Sequence, residues 1–409
     1  MDTFEQIVAR ESQYLVHTYA RYPLAIARGK GVFVFDVDGR RYLDLVGGLG
    51  VNALGHAHPR IVKVIREQAA RAIHVSNLYY HEYQGVLAER LTRASGLDRA
   101  FFSNSGTEAI EGALKLARIA GHKVNEGKCN LVALAGSFHG RTFGAMSLTG
   151  QEKYRKGFEP MLEGVRFIPL NDPATLREAV DDSTCAIVLE TIQGEGGIRE
   201  CSTEFLKAAR EATDRHNAAL ILDEIQCGLG RTGSMFAYQQ HDVVPDIVTI
   251  AKPLAAGLPL GAFIAKEKFA LAITPGKHGT TFGGGPLTTR TALEYLSIVE
   301  DEQLLERVSR VGAYMHEQFL GLKQKFPSLV KEARGRGMIQ ALELTVPARP
   351  VVDAALGEGV LLNVTQETTL RFLPSFLLEE KHVDKAIRVL KKLLANQKKT
   401  ARQEAAASA

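Results

Sequence analysis

Two charged residues directly follow apolar runs that predict buried strands. Asp223 comes after residues 219–222, and Lys252 comes after residues 247–251. The carboxyl ends of parallel strands form the edge at which α/β sheets bind ligands, so both side chains are expected to face one site. A lysine there can form a Schiff base, and an aspartate can hold a protonated pyridine nitrogen. The pair therefore suggests a pyridoxal phosphate site, although an ion pair that only joins two strands would use the same residues.

A segment rich in hydroxyl groups could bind the phosphate of such a cofactor. Residues 103–108 read SNSGTE and precede a stretch with small and apolar residues at helical spacing. Free backbone N–H groups and the positive dipole end at a helix start favour a phosphate, and Ser105 and Thr107 add hydroxyl donors. The same residues also occur at ordinary helix starts, where serine or threonine is the N-cap and no ligand is bound. The segment indicates a phosphate site only together with Asp223 and Lys252.

The composition is typical of a cytoplasmic enzyme. The chain has 409 residues, 45% of them hydrophobic, which is enough for a large core and two domains. Its 50 basic and 46 acidic residues form no long basic stripe, so nucleic-acid binding is not expected. The four cysteines show no metal-ligand spacing, so no metal site is predicted. The first residues lack an apolar signal and no run of 18 apolar residues occurs, so neither secretion nor membrane insertion is expected.

The central part of the chain alternates between strand and helix patterns. Within residues 59–295, the apolar runs 131–135 and 186–189 predict buried strands, and helical patterns lie between such runs. Buried runs that alternate with helices are typical of parallel sheets covered by helices. The sequence therefore predicts an α/β fold whose large domain, residues 59–295, has a mostly parallel sheet flanked by helices.

The two ends of the chain predict a smaller α+β domain. Residues 1–58 are expected to form an N-terminal arm and a hairpin with its turn at Asp38-Gly39, packing with the small domain. Residues 296–398 are expected to form that domain, and residues 399–409 a flexible tail. Helices are expected near 292–325 and 381–396, and short strands at 340–344, 360–364 and 370–372.

Several longer motifs follow one another in a fixed order. They are FFSNSGTEA, SFHGRTFGAMSLTG, ETIQGEGGI, LILDEIQCGLGRTGSMFAY, PDIVTIAKPLAAGLPLGA, HGTTFGGGPL and LRFLPSF. In this order they resemble the class III (fold type I) pyridoxal-phosphate aminotransferases, over about residues 19–374. Within that family the chain is most similar to the members that act on acetylornithine. The resemblance implies a fold type I structure with pyridoxal 5′-phosphate as the cofactor.

Matching positions in these motifs imply which residues bind the cofactor. Lys252 would bind it covalently and later move a proton, and Asp223 would hold its pyridinium nitrogen by a charge-assisted hydrogen bond. Ser105, Gly106 and Thr107 would bind its phosphate. In this family the lysine and the aspartate are the catalytic residues.

The same resemblance implies contacts around the cofactor ring. Phe138 would stack on one face of the ring, Ile225 would pack on the other, and Gln226 would donate a hydrogen bond to the phenolic oxygen. Thr281, helped by Thr280, would reach the phosphate bound by the neighbouring subunit. The implied enzyme is therefore a homodimer with shared active sites.

Four further residues would bind the substrates. Arg141 would hold the distal carboxylate of either substrate, and Arg371 the α-carboxylate of glutamate or 2-oxoglutarate. Glu195 would pair with Arg371 while the amino donor reacts and release it for the oxo acid. Tyr19 lies where relatives have a tyrosine near the substrate carboxylate.

The implied reaction transfers the terminal amine of N2-acetylornithine to 2-oxoglutarate, in arginine biosynthesis. It gives N-acetylglutamate 5-semialdehyde and glutamate. The small residues at 47–50 resemble the loop of enzymes that act on acetylornithine, whereas relatives that use ornithine have a tyrosine there. However, Thr191 stands where proline is usual and Gly285 where asparagine is usual. Succinylornithine, ornithine, an aminoadipate-derived amine and 4-aminobutyrate therefore stay open as donors, and a pyridoxal phosphate aminomutase stays open as a different reaction.

Overall fold

The computed structural model describes residues 2–407, with side chains described as far as residue 398. Within this part of the chain, no helix has the length and apolar character needed to span a membrane. Met1, Ser408 and Ala409 lie outside the described residues, as do parts of the arm and tail expected from the sequence. The described chain contains seventeen strands, thirteen α-helices and three short 3-10 helices.

The strands are short and mostly follow the predicted apolar runs. They are β1 Ile26–Lys30, β2 Phe33–Asp36, β3 Arg41–Asp44, β4 Arg99–Ser103, β5 Asn130–Leu134, β6 Val165–Ile168, β7 Thr184–Glu190, β8 Ile192–Gln193, β9 Arg199–Glu200, β10 Ala219–Asp223, β11 Ile247–Ile250, β12 Gly261–Ala265, β13 Val330–Arg336, β14 Ile339–Leu344, β15 Val360–Leu361, β16 Asn363–Thr365 and β17 Thr369–Phe372.

The helices range from single turns to long segments. They are α1 Phe4–Tyr14, α2 Gly47–Gly50, α3 Pro59–Ala69, α4 Gln84–Ser95, α5 Gly106–Val124, α6 Phe143–Ser147, α7 Pro173–Ala179, α8 Thr203–Arg215, α9 Glu267–Ala270, α10 Pro286–Asp301, α11 Leu304–Lys325, α12 Arg349–Gly357 and α13 Glu380–Ala407, with 3-10 helices at Glu152–Tyr154, Ala237–Gln240 and Lys252–Ala255.

The chain divides into two compact units. One contains the residues up to Pro59 and those from Arg310 onward, and the other contains Arg60–Ser309. The second unit ends within α11, and it includes α10, which continues to Asp301 and packs against α4. The expected roles of these segments as a large and a small domain, and the flexible tail, stay predictions.

The second unit is built on a seven-stranded sheet in the order β4-β12-β11-β10-β7-β5-β6. Strands β11, β10, β7, β5 and β6 run parallel to one another, and β12 is antiparallel to both β11 and β4. Every residue of β7, β10 and β11 is buried, which explains why apolar residues dominate their sequences. Helices α5 and α8 pack against this sheet. The predicted α/β fold with a mostly parallel sheet is confirmed.

The first unit contains two four-stranded sheets. One has the order β1-β2-β3-β15 and the other β13-β14-β17-β16. The hairpin turn predicted at Asp38-Gly39 is present between β2 and β3, and Gly39 has a φ of 84°. The carboxylate of Asp36 accepts the backbone N–H groups of Asp38 and Arg40 at 3.1 and 2.8 Å. These bonds fix the turn and therefore the register of the hairpin.

Three elements differ from the sequence prediction. The helix expected at 381–396 continues to Ala407 as α13. The run 360–364 does not form one strand, because Val360–Leu361 pair with β3 and Asn363–Thr365 pair with β17. The chain changes sheets at Leu362, whose side chain is buried. The helix expected at 292–325 is two helices, since α10 ends at Asp301 and Gln303 takes a left-handed φ of 49° before α11.

Two glycines on α11 offer a matched test of packing in the first unit. A Cβ at Gly312 would lie 2.5 Å from Gly337 Cα, so Gly312→Ala is expected to lower the free energy of unfolding by about 1–3 kcal/mol through overpacking. Gly321 is exposed with no atom within 4 Å of its Cβ position, so Gly321→Ala is expected to raise it by about 0.5–1 kcal/mol. Urea denaturation measures both changes, and shifts of the same sign would contradict this packing.

Candidate active site

The carboxyl ends of three neighbouring parallel strands bring functional residues together. Asp223, the last residue of β10, is in register with Glu190 at the end of β7 and with Thr249 on β11. Lys252 follows β11 after a single residue, Ala251. Because the three strands are parallel, Asp223, Glu190 and Lys252 lie at the same edge of the sheet.

The backbone at Lys252 has an uncommon conformation. Its φ is 34°, in the left-handed region that costs a residue with a side chain about 1–2 kcal/mol. The following residue, Pro253, is buried in the first turn of the 3-10 helix. The Lys252 side chain is half-buried. Backbone strain at one residue directly after a buried strand is typical of functional sites.

The carboxylate of Asp223 is buried and accepts three hydrogen bonds. Its Oδ1 accepts the backbone N–H of Ile225 at 3.0 Å and the hydroxyl of Thr249 at 3.4 Å. Its Oδ2 lies 2.8 Å from Nδ1 of His139. Only 4% of Asp223 is exposed, so these donors replace the water that a free carboxylate would bind. The side chain is thereby held in one orientation.

His139 is fully buried beside Asp223. A carboxylate can only accept, so His139 Nδ1 carries a proton and donates it to Asp223. Burial opposes the charged form of the ring, but the hydrogen bond to Asp223 and the charges of Asp223 and Glu190 raise the pKa of His139 above its usual value. Its Nε2 is buried and has no hydrogen-bond partner among the described residues.

The SNSGTE segment forms the start of a long helix, α5. Ser105 is the N-cap, and its hydroxyl accepts the N–H of Glu108 at 3.4 Å. The Glu108 carboxylate in turn accepts the N–H of Asn104 at 2.5 Å. The backbone N–H groups of the first turn are oriented along the helix axis, where the helix dipole is positive. This end of α5 is suited to an anion such as a phosphate.

Two close contacts position the first turn of α5. A Cβ at Gly106 would lie 2.8 Å from Ile225 Cδ1 and 2.9 Å from Ile225 Cγ2, so only glycine allows Ile225 this close. The hydroxyl of Thr107 lies 2.8 Å from the hydroxyl of Thr142 and accepts the Thr142 N–H at 3.2 Å. The helix start is thus joined to the segment after β10 and to the segment that contains Arg141.

Phe138 and Arg141 form a cluster with Tyr154. The guanidinium carbon of Arg141 lies 4.5 Å from the ring centre of Tyr154 and 5.5 Å from that of Phe138. The two rings meet edge to face with their centres 5.3 Å apart. Phe138 is half-buried and Arg141 is exposed. Stacking on the aromatic rings limits where the Arg141 guanidinium can lie.

Gln226 and the two threonines occupy different surroundings. Gln226 is half-buried, and its amide oxygen fills the space that a Cβ at Gly194 would need. The Thr280 hydroxyl accepts the side-chain N–H of Asn104 at 3.1 Å and the Gly283 N–H at 3.2 Å. Thr281 is exposed. Thr280 therefore lies at the start of α5 in its own chain.

The predicted substrate residues belong to both compact units. Glu195 and Arg141 lie in the unit Arg60–Ser309, and Glu195 is half-buried. Arg371 and Tyr19 lie in the other unit. Arg371 is 2% exposed, and its Nε and Nη2 donate to Asn363 Oδ1 at 3.0 and 2.7 Å, whereas Tyr19 is 80% exposed. The pairing of Glu195 with Arg371 stays a prediction.

Residues 47–50 form a tight, irregular turn in the first unit. Gly48 and Leu49 both have left-handed backbone conformations, with φ values of 61° and 60°. A Cβ at Gly47 would overlap the carbonyl of Leu373. The packing of the turn itself therefore requires glycine at position 47.

Two further buried carboxylates lie close to Asp223. Glu190 is in register with Asp223 on the neighbouring strand β7, and Glu224 follows Asp223 in the sequence. Burial raises the pKa of Glu190 to about 7 and that of Glu224 to about 7. Glu224 Oε1 accepts the Thr191 hydroxyl and the Tyr238 N–H, each at 2.9 Å, and its Oε2 accepts the Ala237 N–H at 2.7 Å. Thr191 thus donates a hydrogen bond to Glu224. This residue stands where proline is usual in the family that the sequence resembles.

The chain matches a known protein family along most of its length. The family model described as class III aminotransferase matches residues 14–394. The chain belongs to the class III aminotransferases. An acetylornithine aminotransferase from Caldanaerobacter subterraneus subsp. tengcongensis is 45% identical over 391 residues, which cover 95% of this chain and 99% of that protein. Several further relatives described as acetylornithine aminotransferases are 41–43% identical.

Solved structures of such enzymes have the same fold. An ornithine aminotransferase from Toxoplasma gondii, with partial occupancy of pyridoxal phosphate at its active site, has a TM-score of 0.93 at 32% identity, covering 98% of this chain and 96% of that chain. An acetylornithine aminotransferase from Elizabethkingia anophelis has a TM-score of 0.87 at 30% identity, covering 97% and 100%. This class III aminotransferase is therefore a pyridoxal-phosphate enzyme with the fold type I architecture, and its substrates are a small-molecule amino donor and an oxo acid.

The described site of this aminotransferase fits its cofactor. Asp223 presents a buried, hydrogen-bonded carboxylate of the kind that a pyridinium nitrogen needs. Gly106 allows Ile225 to pack against the first turn of α5, since a side chain at this position would meet Ile225. Lys252 lies at the same edge of the sheet. The residues that would hold the cofactor are therefore present, and their individual roles stay predictions.

Sequence reasoning missed several residues of the aminotransferase site. His139 lies in the FHGR motif between Phe138 and Arg141, yet a buried histidine partner for Asp223 was not predicted. Tyr154 and Asn363, the partners of Arg141 and Arg371, carry no local signal. For His139 alone a signal existed, because a histidine after a predicted strand end can reach an acid at the same edge of the sheet.

We expect His139→Leu to weaken the retention of pyridoxal phosphate. The substitution removes the donor that holds Asp223 Oδ2 in one orientation, so we expect the dissociation constant to rise about tenfold, which corresponds to about one charge-assisted hydrogen bond. Thr249→Val is the matched control, because it removes only the longer 3.4 Å bond to Oδ1. Equilibrium dialysis measures both constants, and an equal or larger loss in Thr249→Val would contradict the role of His139.

Proposed function

We propose that this aminotransferase transfers the terminal amine of N2-acetylornithine to 2-oxoglutarate. The products are N-acetylglutamate 5-semialdehyde and glutamate, and the reaction belongs to arginine biosynthesis. The observation that carries the proposal is the name shared by relatives that match 93–97% of the chain at 41–45% identity. The amine of this donor is far from any carboxylate, whereas the amine of glutamate has one beside it, so one site must accept both.

Lys252 and Asp223 would carry out the chemical step. When bound, pyridoxal phosphate supplies a ring that accepts electrons from the carbon that bears the amine. Lys252 Nζ would hold the cofactor between turnovers, and it would take a proton from that carbon and pass it to the cofactor. Asp223 would keep the ring nitrogen protonated, and its three hydrogen bonds hold the carboxylate in place for that purpose.

Two arginines would orient the substrates. Arg141 would bind the distal carboxylate that acetylornithine and 2-oxoglutarate share, and its contacts with Phe138 and Tyr154 limit its movement. Arg371 would bind the α-carboxylate of glutamate or 2-oxoglutarate. Glu195 would neutralise Arg371 when the donor has no carboxylate at that position. Tyr19 would contribute to binding the distal carboxylate.

Ornithine is the second candidate donor. Ornithine aminotransferases are among the solved structures similar to this chain, with TM-scores up to 0.93, although their identity of 32% is lower than the 45% of the acetylornithine aminotransferase from Caldanaerobacter subterraneus. The small residues at 47–50 favour acetylornithine, because they leave room for an acyl group where ornithine enzymes have a tyrosine. Succinylornithine and 4-aminobutyrate are the other donors to compare.

Single-turnover absorbance spectroscopy on the purified holoenzyme tests the choice of donor. We expect N-acetylornithine to deplete the cofactor absorbance band faster than ornithine, succinylornithine or 4-aminobutyrate, and 2-oxoglutarate to restore the band. A faster reaction with ornithine would instead support the second candidate.

The lysine supplies the control for this experiment. Lys252→Ala should abolish both the depletion and the recovery, because no other residue is proposed to move the proton. Lys207→Ala, on the exposed surface of α8, should leave both unchanged. Retained transamination in Lys252→Ala would contradict the proposed chemistry.

We also propose that two copies of the chain form a homodimer with shared sites. An apolar patch, which we define as Ile73, Leu78, Tyr79, Tyr80 and Phe282, is 61–106% exposed. Side-chain N–H groups of Asn77 donate to the carbonyls of Thr280 and Gly283, so the two segments of the patch are adjacent. Exposed apolar surface of this kind is typical of subunit interfaces. Thr281, next to Phe282, would then reach the phosphate of the partner subunit.

Mixed dimers test the shared site. Lys252→Ala and Thr281→Asp would each inactivate both sites of their own homodimer, the second by placing a negative charge beside the phosphate. In a mixed dimer, one site would combine the intact Lys252 of one chain with the intact Thr281 of the other. We therefore expect activity to return to about a quarter of the wild-type value when both variants are refolded or expressed together at equal amounts, since half the dimers are mixed and half their sites are intact. Absence of recovery in verified mixed dimers would contradict sharing.

We infer a cytoplasmic location from the composition and from the small-molecule substrates. Its four cysteines are free in the structure. Free thiols are usual in reducing compartments. Fractionation of cells that produce the protein would test this location.

A further inference from the structure

Glu190 joins two loops at the carboxyl edge of the large sheet. The first loop, residues 135–138, follows β5, and the second, residues 191–197, follows β7 and includes the two-residue strand β8. Glu190 Oε1 accepts the backbone N–H of Phe138 at 2.8 Å, and Oε2 accepts the N–H of Gly194 at 2.9 Å. The side chain is 5% exposed. One carboxylate therefore fixes the backbone of Phe138 and that of the residue before Glu195.

Other contacts support the second loop on both sides. Gln193 Nε2 donates to the carbonyl of Ala135 at 2.9 Å, and a Cβ at Gly196 would lie 2.9 Å from the carbonyl of Gly136. Thr191 donates its hydroxyl to Glu224 at the end of β10. The loop is attached to the segments that follow both neighbouring strands. Its backbone is thus held in place close to Glu195.

Only a carboxylate satisfies both N–H groups at Glu190. A glutamine has one accepting oxygen, and its NH2 group would face the second N–H donor. An aspartate has both oxygens, but its side chain is shorter by one methylene group. Replacing Glu190 by glutamine therefore releases one of the two loops without changing the size of the side chain.

We propose that Glu190 is a positioning residue for donor discrimination, because it holds the loop that presents Glu195. The proposal rests on the proposed function, in which Glu195 neutralises Arg371 while acetylornithine reacts. If Glu195 is displaced, Arg371 keeps its charge beside a substrate carbon that has no carboxylate. The acetylornithine half-reaction is then weakened, and the glutamate half-reaction, which needs Arg371 unpaired, is retained.

The two half-reactions of Glu190→Gln holoenzyme, measured separately by stopped-flow absorbance, test this proposal. We expect the ratio of kcat/KM for acetylornithine to that for glutamate to fall about tenfold, the change that corresponds to the loss of about one charged hydrogen bond. Asp246→Asn is the matched control, since Asp246 is a buried carboxylate at the opposite edge of the same sheet. It should leave the ratio unchanged. An equal loss in both half-reactions of Glu190→Gln would overturn the proposal.

A double-mutant cycle with Glu195→Gln separates the inference from the proposed function. Glu195→Gln alone should lower the same ratio, and adding Glu190→Gln should lower it little further, because both act through Glu195. Additive effects would overturn the role of Glu190.

If Glu195→Gln and Arg371→Ala leave the ratio unchanged, the proposed switch fails and the inference fails with it. If Glu195→Gln changes the ratio and Glu190→Gln does not, only the inference fails. Should Glu190→Gln not fold, Glu190→Asp is expected to lower the ratio in the same direction, and an unchanged ratio there counts equally against it.

Discussion

A buried negative charge at Asp223 is the constraint on which the active site depends. An isolated carboxylate in a protein interior is strongly destabilising unless hydrogen bonds and charges compensate it. Asp223 obtains its donors from three separate segments, through His139 after β5, the Ile225 N–H after β10 and the Thr249 hydroxyl on β11. These segments meet only because β5, β7, β10 and β11 are neighbours in one parallel sheet. The order of the strands is therefore a requirement of the cofactor site as well as of the core.

Local sequence predicts the strands of this sheet but not the partners at its edge. A fully buried strand such as β10 must be a continuous apolar run, and a charged residue at its end marks the edge, so Asp223 and Lys252 could be found. The contact of His139 with Asp223 spans 84 positions and depends on the strand order β10-β7-β5. No periodicity of a single segment contains that order. The family resemblance identified the motif but gave His139 no role.

The misplaced elements have a similar cause. Residues 360–364 have the pattern of one strand, but β15 completes the N-terminal sheet beside β3 and β16 pairs with β17. Pairing partners on two sheets decide where each strand ends, and the run itself does not reveal them. Between α10 and α11, the helical pattern continues almost without interruption, whereas the backbone turns at Gln303. Tertiary contacts therefore set these boundaries, as helix propensity alone is a weak determinant.

The buried carboxylates of Glu190 and Glu224 lower the stability of the fold at neutral pH. Burial raises the pKa of Glu190 from 4.5 to about 7, and that of Glu224 from 4.5 to about 7. Between pH 4.5 and about 7 these two carboxyl groups bind more protons in the folded chain than in the unfolded chain. Their contribution to stability therefore falls as the pH rises through this range. At neutral pH the fold thus carries part of a desolvation penalty that glutamine or a hydrophobic residue would avoid. Each acid in return accepts backbone N–H groups from two or more residues of loops and turns, Phe138 and Gly194 for Glu190, and Ala237 and Tyr238 for Glu224. A rigid set of loops around Asp223 is therefore obtained at the expense of global stability, which is the usual balance in a site that must hold its groups in one geometry.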